Sequence, residues 1–209
     1  MSGLTGDTTI TTDRLVLHPL RVADADEMVA VLADPVLHEF TGGRPATLEE
    51  LNERYVSWVE GSGSAAELWL NWIVRRRDDE SAIGTVQATV VGVHEQPEAW
   101  VAWTIGTPWQ RHGYASEATC GLVEWLRQQG IDSVVAHIHP GHAASAAVAT
   151  RAGLHATDHV IDGEIVWRRS LQPLPDRPPV RGCRRTRRSP PEGMASDRGR
   201  SPPDWPPCG

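Results

Sequence analysis

Lysine is absent from this chain: all 20 basic residues are arginine, a bias towards GC-rich codons that carries no functional reading of its own. Phenylalanine occurs once and tyrosine twice, beside nine tryptophans. Cysteine is scarce as well. Cys120, Cys183 and Cys208 stand at neither zinc-ligand nor CxxC spacing, which argues for a reducing compartment. No run of 18 apolar residues occurs, so no membrane-spanning helix is expected. The N-terminus carries Asp7 and Asp13 without a basic start before an apolar block, unlike a signal peptide. A soluble, cytoplasmic protein without internal repeats is the expectation.

What is present divides near Leu171. Residues 173–209 hold ten of the 16 prolines, eight arginines and four acids, a composition that cannot bury enough apolar surface to offset its ordering entropy. The expectation is one domain over residues 1–172 and a disordered Pro/Arg-rich tail over 173–209. Taking 8 of 20 arginines and 4 of 27 acids away leaves a body with 12 against 23, about −11, and a tail of about +4. Such a body attracts cations and repels nucleic acid.

The most informative stretch is residues 98–127. Aromatic and β-branched residues over 100–105 read as a strand, which Gly106 and Pro108 end. From Gly113 onward Ala115, Ala118, Leu122, Trp125 and Leu126 recur at helical spacing. A helix therefore starts inside Q-R-H-G-Y-A, where unpaired amides and the positive dipole end meet a glycine that lets a ligand press on the backbone. That is the pattern of an anion cradle, most naturally for a pyrophosphate.

Along the chain, residues 14–20 alternate as a first strand, Asp24 and Asp26 open a helix that Pro35 stops, and Thr47 with Glu50 forms a capping box for a second helix. Leu48, Leu51, Tyr55, Trp58 and Val59 supply its apolar stripe. Strands over 68–74 and 82–93 flank the charged R-R-R-D-D-E-S turn, read as a solvated hairpin end. After the central strand and helix come a fifth strand over 134–140, a short alanine-rich helix over 142–152, and strands over 155–160 and 164–171 around the hairpin signal Asp162-Gly163. This order predicts an α/β (α+β) fold with a mixed, partly antiparallel sheet of about seven strands and about four helices.

Q-R-H-G-Y-A after the fourth strand, followed by H-P-G-H-A-A-S-A-A-V-A-T-R-A-G-L, resembles the GNAT superfamily of acyl-CoA-dependent N-acetyltransferases. The opening T-D-R-L-V-L-H-P-L and the A-S…G-L phrase resemble its ribosomal-protein N-terminal acetyltransferase branch. The resemblance covers residues 11–171. It implies a splay between the fourth and fifth strands, with acetyl-CoA as co-substrate, its pyrophosphate on the backbone amides of Arg111, His112, Gly113, Tyr114, Ala115 and Ser116, Gln110 as a further cofactor contact, and its pantetheine paired with the backbone of Trp103, Thr104 and Ile105 like an added strand. His142 stands where the branch usually has asparagine, as a further cofactor contact. The tyrosine that relatives use as acid falls near Ala149 and is absent, which leaves Ser145. Glu98, at the entrance of the fourth strand, is the candidate base.

His137, His139 and His142 form an H-x-H-x-x-H cluster without evident carboxylate or thiolate companions, so no metal is expected. Cys120 has no thiolate-promoting partner in view and reads as packing. Trp69, Trp72, Trp103 and Trp109 read as core or as an acceptor groove. The implied function is acetyl transfer to an amine acceptor, a small molecule or a peptide N-terminus, by a monomer or homodimer that needs no nucleic acid or membrane. The competing reading is a catalytically idle acyl-CoA-binding module.

Overall fold

Residues Ala82–Val91 (β4) are buried along nearly their whole length because the sheet continues on both sides and is covered on both faces. A computed structural model describes residues 6–64, 66–92 and 96–171, which fall within one compact unit. The 173–209 segment, with Cys183 and Cys208, lies outside the described residues. The strands are β1 (Ile10–Thr11), β2 (Leu15–Pro19), β3 (Glu67–Arg76), β4, β5 (Glu98–Ile105), β6 (Ser133–Ile138), β7 (His155–Ile161) and β8 (Glu164–Ser170). They form one sheet of order β1-β2-β3-β4-β5-β6-β8-β7. Every pairing is antiparallel except β5 with β6. The sheet thus has eight strands rather than about seven: β1 adds two residues that are too short to show a period.

The helices are α1 (Ala25–Val31), α2 (Leu48–Glu60), α3 (Tyr114–Gln128) and α4 (Ala143–Arg151). One core packs α3 and α4 against the sheet, with Trp72, Trp103, Leu122, Leu126 and Ala149 in it. The other packs α1 and α2 on the opposite face through Met28, Leu51, Tyr55 and Ile73. The capping box of α2 forms, with the Thr47 hydroxyl accepting from the Glu50 amide and the Glu50 carboxylate accepting from the Thr47 amide. Leu48 and Val59 depart from the expected stripe and are 41% and 56% exposed. The charged hairpin end is more than a solvated turn, because Arg75 pairs with Asp24 and Glu27 and so ties the β3–β4 hairpin to α1. Asp162 and Gly163 take φ of +51° and +87°, the left-handed pair that a tight hairpin needs.

Glu117 joins the two ends of the domain's first half. Its Oε1 accepts from the Thr12 hydroxyl and the Arg14 amide, each at 2.7 Å, and its Oε2 pairs with the Arg14 guanidinium at 2.7 Å. Burial pushes this carboxyl up, but the Thr12 and Arg14 donors outweigh burial and hold it below the usual range. A depressed carboxyl stabilises the fold above its unfolded pKa and loses that contribution as pH falls through the folded value. Glu117→Ala is therefore expected to cost about 2 kcal/mol at pH 7. In chemical denaturation the gap to the unaltered chain should close below about pH 4; a gap that persists there would contradict the ionic account.

Candidate active site

β5 and β6 pair over three residues only, Glu98 with Ser133, Ala99 with Val134 and Trp100 with Val135. Beyond Trp100, β5 stays with β4 to Ile105, while β6 follows β8 to Ile138. The expected splay is this divergence. The Gly106 amide donates to Ile83 on β4. Alternation along an extended strand then turns the N–H groups of Trp103 and Ile105 towards the gap.

At the end of that free edge the chain enters α3. Arg111 and Gly113 take φ of +65° and +82°, with Gly113 as the N-cap, and no side chain caps the helix. The amides of Tyr114, Ala115 and Ser116 fall in the first turn, where helical geometry supplies no acceptor. A cavity of about 340 Å³ lies against this corner, with Trp103, Ile105, Gln110, Arg111, Gly113 and Tyr114 on one side. His142, Ser145, Val148 and Arg151 of α4 and its cap close the other. An ideal Cβ on Gly113 would meet only the Arg14 guanidinium, at 3.5 Å. The corner is open, as a cradle must be.

Most of the expected cofactor residues converge here, including Ala115 and Ser116. Three of them turn their side chains elsewhere. Gln110 turns its amide Nε2 back to the Ile105 carbonyl at 2.9 Å and so braces the loop. His112 is exposed, its ring stacked with Tyr114 at 5.8 Å between centroids while its carbonyl accepts from Arg14. Thr104 points to the opposite face, where it lines a smaller cavity with Thr85, Gln87 and Tyr55. The backbone of Thr104 still belongs to the free strand.

Ser145 is 2% exposed and lines the main cavity. It is placed by His142, the N-cap of α4, whose Nδ1 accepts from the Ser145 amide at 3.4 Å. The His142 ring stacks on Phe40 at 4.4 Å, and burial lowers its pKa below the usual histidine value. With Nδ1 accepting, the neutral ring carries its proton on Nε2.

Glu98 lies at the closed end of the splay, outside the cavity. Its carboxylate accepts from the Trp100 indole at 3.0 Å and from the Ser133 hydroxyl at 2.8 Å, and it pairs with Arg168. Those three donors hold the carboxylate in place at the strand entrance. His137, two residues beyond the last β5–β6 rung, shares the Glu98 face of the sheet and leans on Trp100 at 5.8 Å. Burial lowers its pKa, against the opposing pull of Asp162 and Glu98. A neutral imidazole therefore stands at the mouth of the gap, a position its sequence spacing did not reveal.

Two other features were not legible from spacing. Arg151, at the last turn of α4, lines the cavity and with Arg111 supplies two guanidinium groups around it. The Trp103 indole Nε1 is buried in the wall with no hydrogen-bond partner among the described residues. An orphaned donor there suits a ligand with amide carbonyls, and the open amides with two guanidiniums suit a pyrophosphate, so the residues fit acetyl-CoA. Trp109 also lines the cavity, whereas Trp72 is fully buried core. Cys120, expected to pack, is exposed, and burial of its sulfur pushes the thiol up. Among the described residues no group of three or more His, Cys, Asp or Glu could hold a metal ion. None of their helices is long and apolar enough to cross a membrane.

Compared by sequence, the chain matches no curated protein. It is similar in structure to a GNAT-family acetyltransferase from Bacillus anthracis, at 16% identity and a TM-score of 0.65 over 78% of this chain and 99% of that one. A putative ribosomal-protein-serine acetyltransferase from Vibrio cholerae shares 21% identity and a TM-score of 0.60, over 80% and 99%. RimL, a ribosomal L7/L12 alpha-N-protein acetyltransferase in complex with coenzyme A, shares 12% and 0.64, over 78% and 98%. At these identities the likeness shows the fold. The family model described as "Acetyltransferase (GNAT) domain" matches residues 14–155, which takes in the splayed strands, the α3 cradle and the α4 cap. The chain therefore belongs to the GNAT acetyltransferase family and is an N-acetyltransferase.

Proposed function

We propose that the protein moves an acetyl group from acetyl-CoA to a primary amine, a protein N-terminus or a small-molecule amine, in the manner of the ribosomal-protein N-terminal acetyltransferase branch. The observation that carries this reading is the free edge of β5 running directly into the unpartnered amides of α3. The pantetheine extends along Trp103 and Ile105 like an added strand, and the pyrophosphate rests on the Gly113 to Ser116 amides between Arg111 and Arg151.

Bound there, acetyl-CoA supplies an acyl carbon activated as a thioester. The chain's own groups do the rest. One backbone N–H of the free β5 edge donates to the carbonyl oxygen as it gains charge, while the others pair with the pantetheine. The acceptor enters from the α1–α2 face as a neutral amine; an α-amine of pKa about 8 is already partly neutral near pH 7, so a weak base suffices. His137 takes the proton released when the C–N bond forms, and Glu98 acts behind it by holding Arg168 and Trp100. As the C–S bond breaks, the Ser145 hydroxyl gives a hydrogen bond to the departing thiolate, which takes its proton from solvent, as His137 returns its own to solvent. The idle-module alternative rests on the missing tyrosine at Ala149. It predicts coenzyme A binding without thiol release on any acceptor.

Mixing the protein with acetyl-CoA and an amine panel should release thiol in step with a 42-dalton mass gain on the acceptor, and binding without turnover would favour the idle module. Ser145→Ala should lower kcat about tenfold while the KM for acetyl-CoA stays within about twofold. If both parameters are unchanged, Ser145 does not assist the leaving sulfur.

The assignment of the base has its own test. His137 is lowered by burial, so kcat/KM of the unaltered enzyme, once referred to the neutral fraction of the acceptor amine, should fall further only as pH drops through a value below about 6.5. His137→Gln is expected to remove that limb and cost about 100-fold. Glu98→Gln should lower the rate and keep the limb. Loss of the limb in the Glu98 variant instead would return the role to Glu98.

A further inference from the structure

The roomier cavity beneath α2, about 540 Å³, is bordered by Asp7, Glu60 and Glu67. The smaller one, about 60 Å³, which Thr104 lines from β5, has the opposite character. In a body with 12 arginines and 23 acids, no aspartate or glutamate lines it, and its one permanent charge is Arg54 of α2. Arg54 is half-buried and makes no ion pair or hydrogen bond among the described residues. Two acids that can neutralise it are engaged elsewhere. Glu50, one helical turn earlier, is held by Arg44 and the Thr47 amide, and Asp24, whose charge bears with that of Arg54 on the Tyr55 phenol, is held by Arg75.

A second, independent observation points to an occupant. Gln87 and Thr85 of β4 are 3% and 7% exposed and line the cavity, yet their side chains make no hydrogen bond among the described residues. The Tyr55 hydroxyl is unpartnered too, but it is sealed behind the wall, whereas the Gln87 amide and the Thr85 hydroxyl open into the cavity. Polar groups buried this deeply are normally satisfied. Gln87, Thr85 and Thr104 can each donate or accept, as can His38 and Thr41 on the same lining, so they suit an occupant of either sign. Arg54 only donates and cannot lose its charge, so it decides the sign. One guanidinium beside an apolar wall of Leu32, Leu37 and Leu51 suits a singly charged carboxylate, which it meets with two parallel hydrogen bonds, better than a phosphate dianion.

We propose that this cavity takes the carboxylate of an amino acid whose own amine is the acetyl acceptor, with Arg54 and Gln87 as the groups that select it; the clause on acetylation rests on the acetyl-transfer reading. The distances suit one short molecule. Thr104, the Cα partner of Thr85, stands between Trp103 and Ile105 of the free β5 edge. From that edge to β4 is one strand spacing, about 5 Å, so an amine at the gap and a carboxylate beside Gln87 are a few bonds apart. In the transfer the amine nitrogen bonds to the acetyl carbon, the C–S bond breaks, and the carboxylate is left unchanged. The products are an N-acetylamino acid and coenzyme A.

The test titrates the full chain calorimetrically with L-leucine, whose side chain matches the apolar wall, with L-leucinamide, in which an amide replaces the carboxylate, and with leucylglycine, which carries the carboxylate one residue further on. L-Leucine is expected to bind about tenfold more tightly than either. Arg54→Gln should erase that preference, and Arg54→Lys should keep part of it, since lysine retains the charge without the planar fork. Coenzyme A affinity, measured on the same samples, should stay unchanged as evidence that the variants are folded. In turnover the loss in Arg54→Gln should fall on the leucine KM, by about tenfold, rather than on kcat. Equal affinity for leucine and leucinamide in the unaltered protein overturns the proposal, as does a preference that survives Arg54→Gln. Tighter binding of leucylglycine than of leucine would place the carboxylate outside the cavity and overturn it as well. Leucine binding that depends on Arg54, with no acetylation of leucine, would sustain the carboxylate site and defeat the acetyl-transfer reading.

Discussion

Three rungs of parallel pairing, followed by divergence, are the constraint from which the rest of this molecule follows. A strand that leaves its neighbour in mid-sheet turns backbone donors towards a gap, and each buried donor without an acceptor costs about 1–3 kcal/mol. The chain tolerates this because both partners are held elsewhere. β5 pairs with β4 over its full length, from Glu98 opposite Val91 to Ile105 opposite Gly84. Gly84 permits the last rungs to close tightly, since an ideal Cβ there would stand 2.0 Å from the Thr104 carbonyl oxygen. β6 is matched to β8 from Ser133 to Ile138. The gap therefore cannot collapse without breaking a ladder, and it persists as a demand for hydrogen bonds that an amide-bearing chain satisfies.

The same strand also divides the labour between the two faces of the sheet. Its odd residues, Ala99, Val101, Trp103 and Ile105, are buried towards α3 and α4, while Thr104 lines the cavity beneath α1 and α2. A ligand drawn into the gap thus touches both sides at once. Charge follows the division. Arg111 and Arg151 border the cavity at the α3 corner, whereas Asp7, Glu60 and Glu67 border the one beneath α2. A body with about 11 excess acids thus keeps two guanidiniums together at the α3 corner and its carboxylates on the other face.

What could be read in advance was whatever the backbone decides locally. The α2 capping box needs only Thr47 and Glu50, three positions apart. The hairpin at Asp162 and Gly163 needs only two residues that accept positive φ, and the α3 cradle needs a glycine at the strand-to-helix junction. The acid–base groups were different in kind. Whether Glu98 is a base or a structural anion depends on Ser133 and Arg168, 35 and 70 residues away, and no periodicity carries that information. Arg151 was hidden for the same reason. Its place at the cavity is set by how closely the alanine-rich α4 approaches the sheet, with Ala149 fully buried at the contact. β1 was missed because two residues are fewer than one alternation.

His142 shows how an imidazole can take the place of the usual small polar N-cap residue. An N-cap needs an acceptor for the first-turn amides, and an imidazole can be one only while Nδ1 is unprotonated. Burial against Phe40, together with the charge of His139, lowers the pKa of this ring and preserves the acceptor at neutral pH. Ser145, whose amide the ring receives, is thereby fixed with its hydroxyl in the cavity wall. An asparagine could cap the helix at any pH; the histidine does so only above its own titration. The placement of Ser145 in the cavity wall thus depends on a proton not being present on His142, and the stacked phenyl ring helps to keep it away.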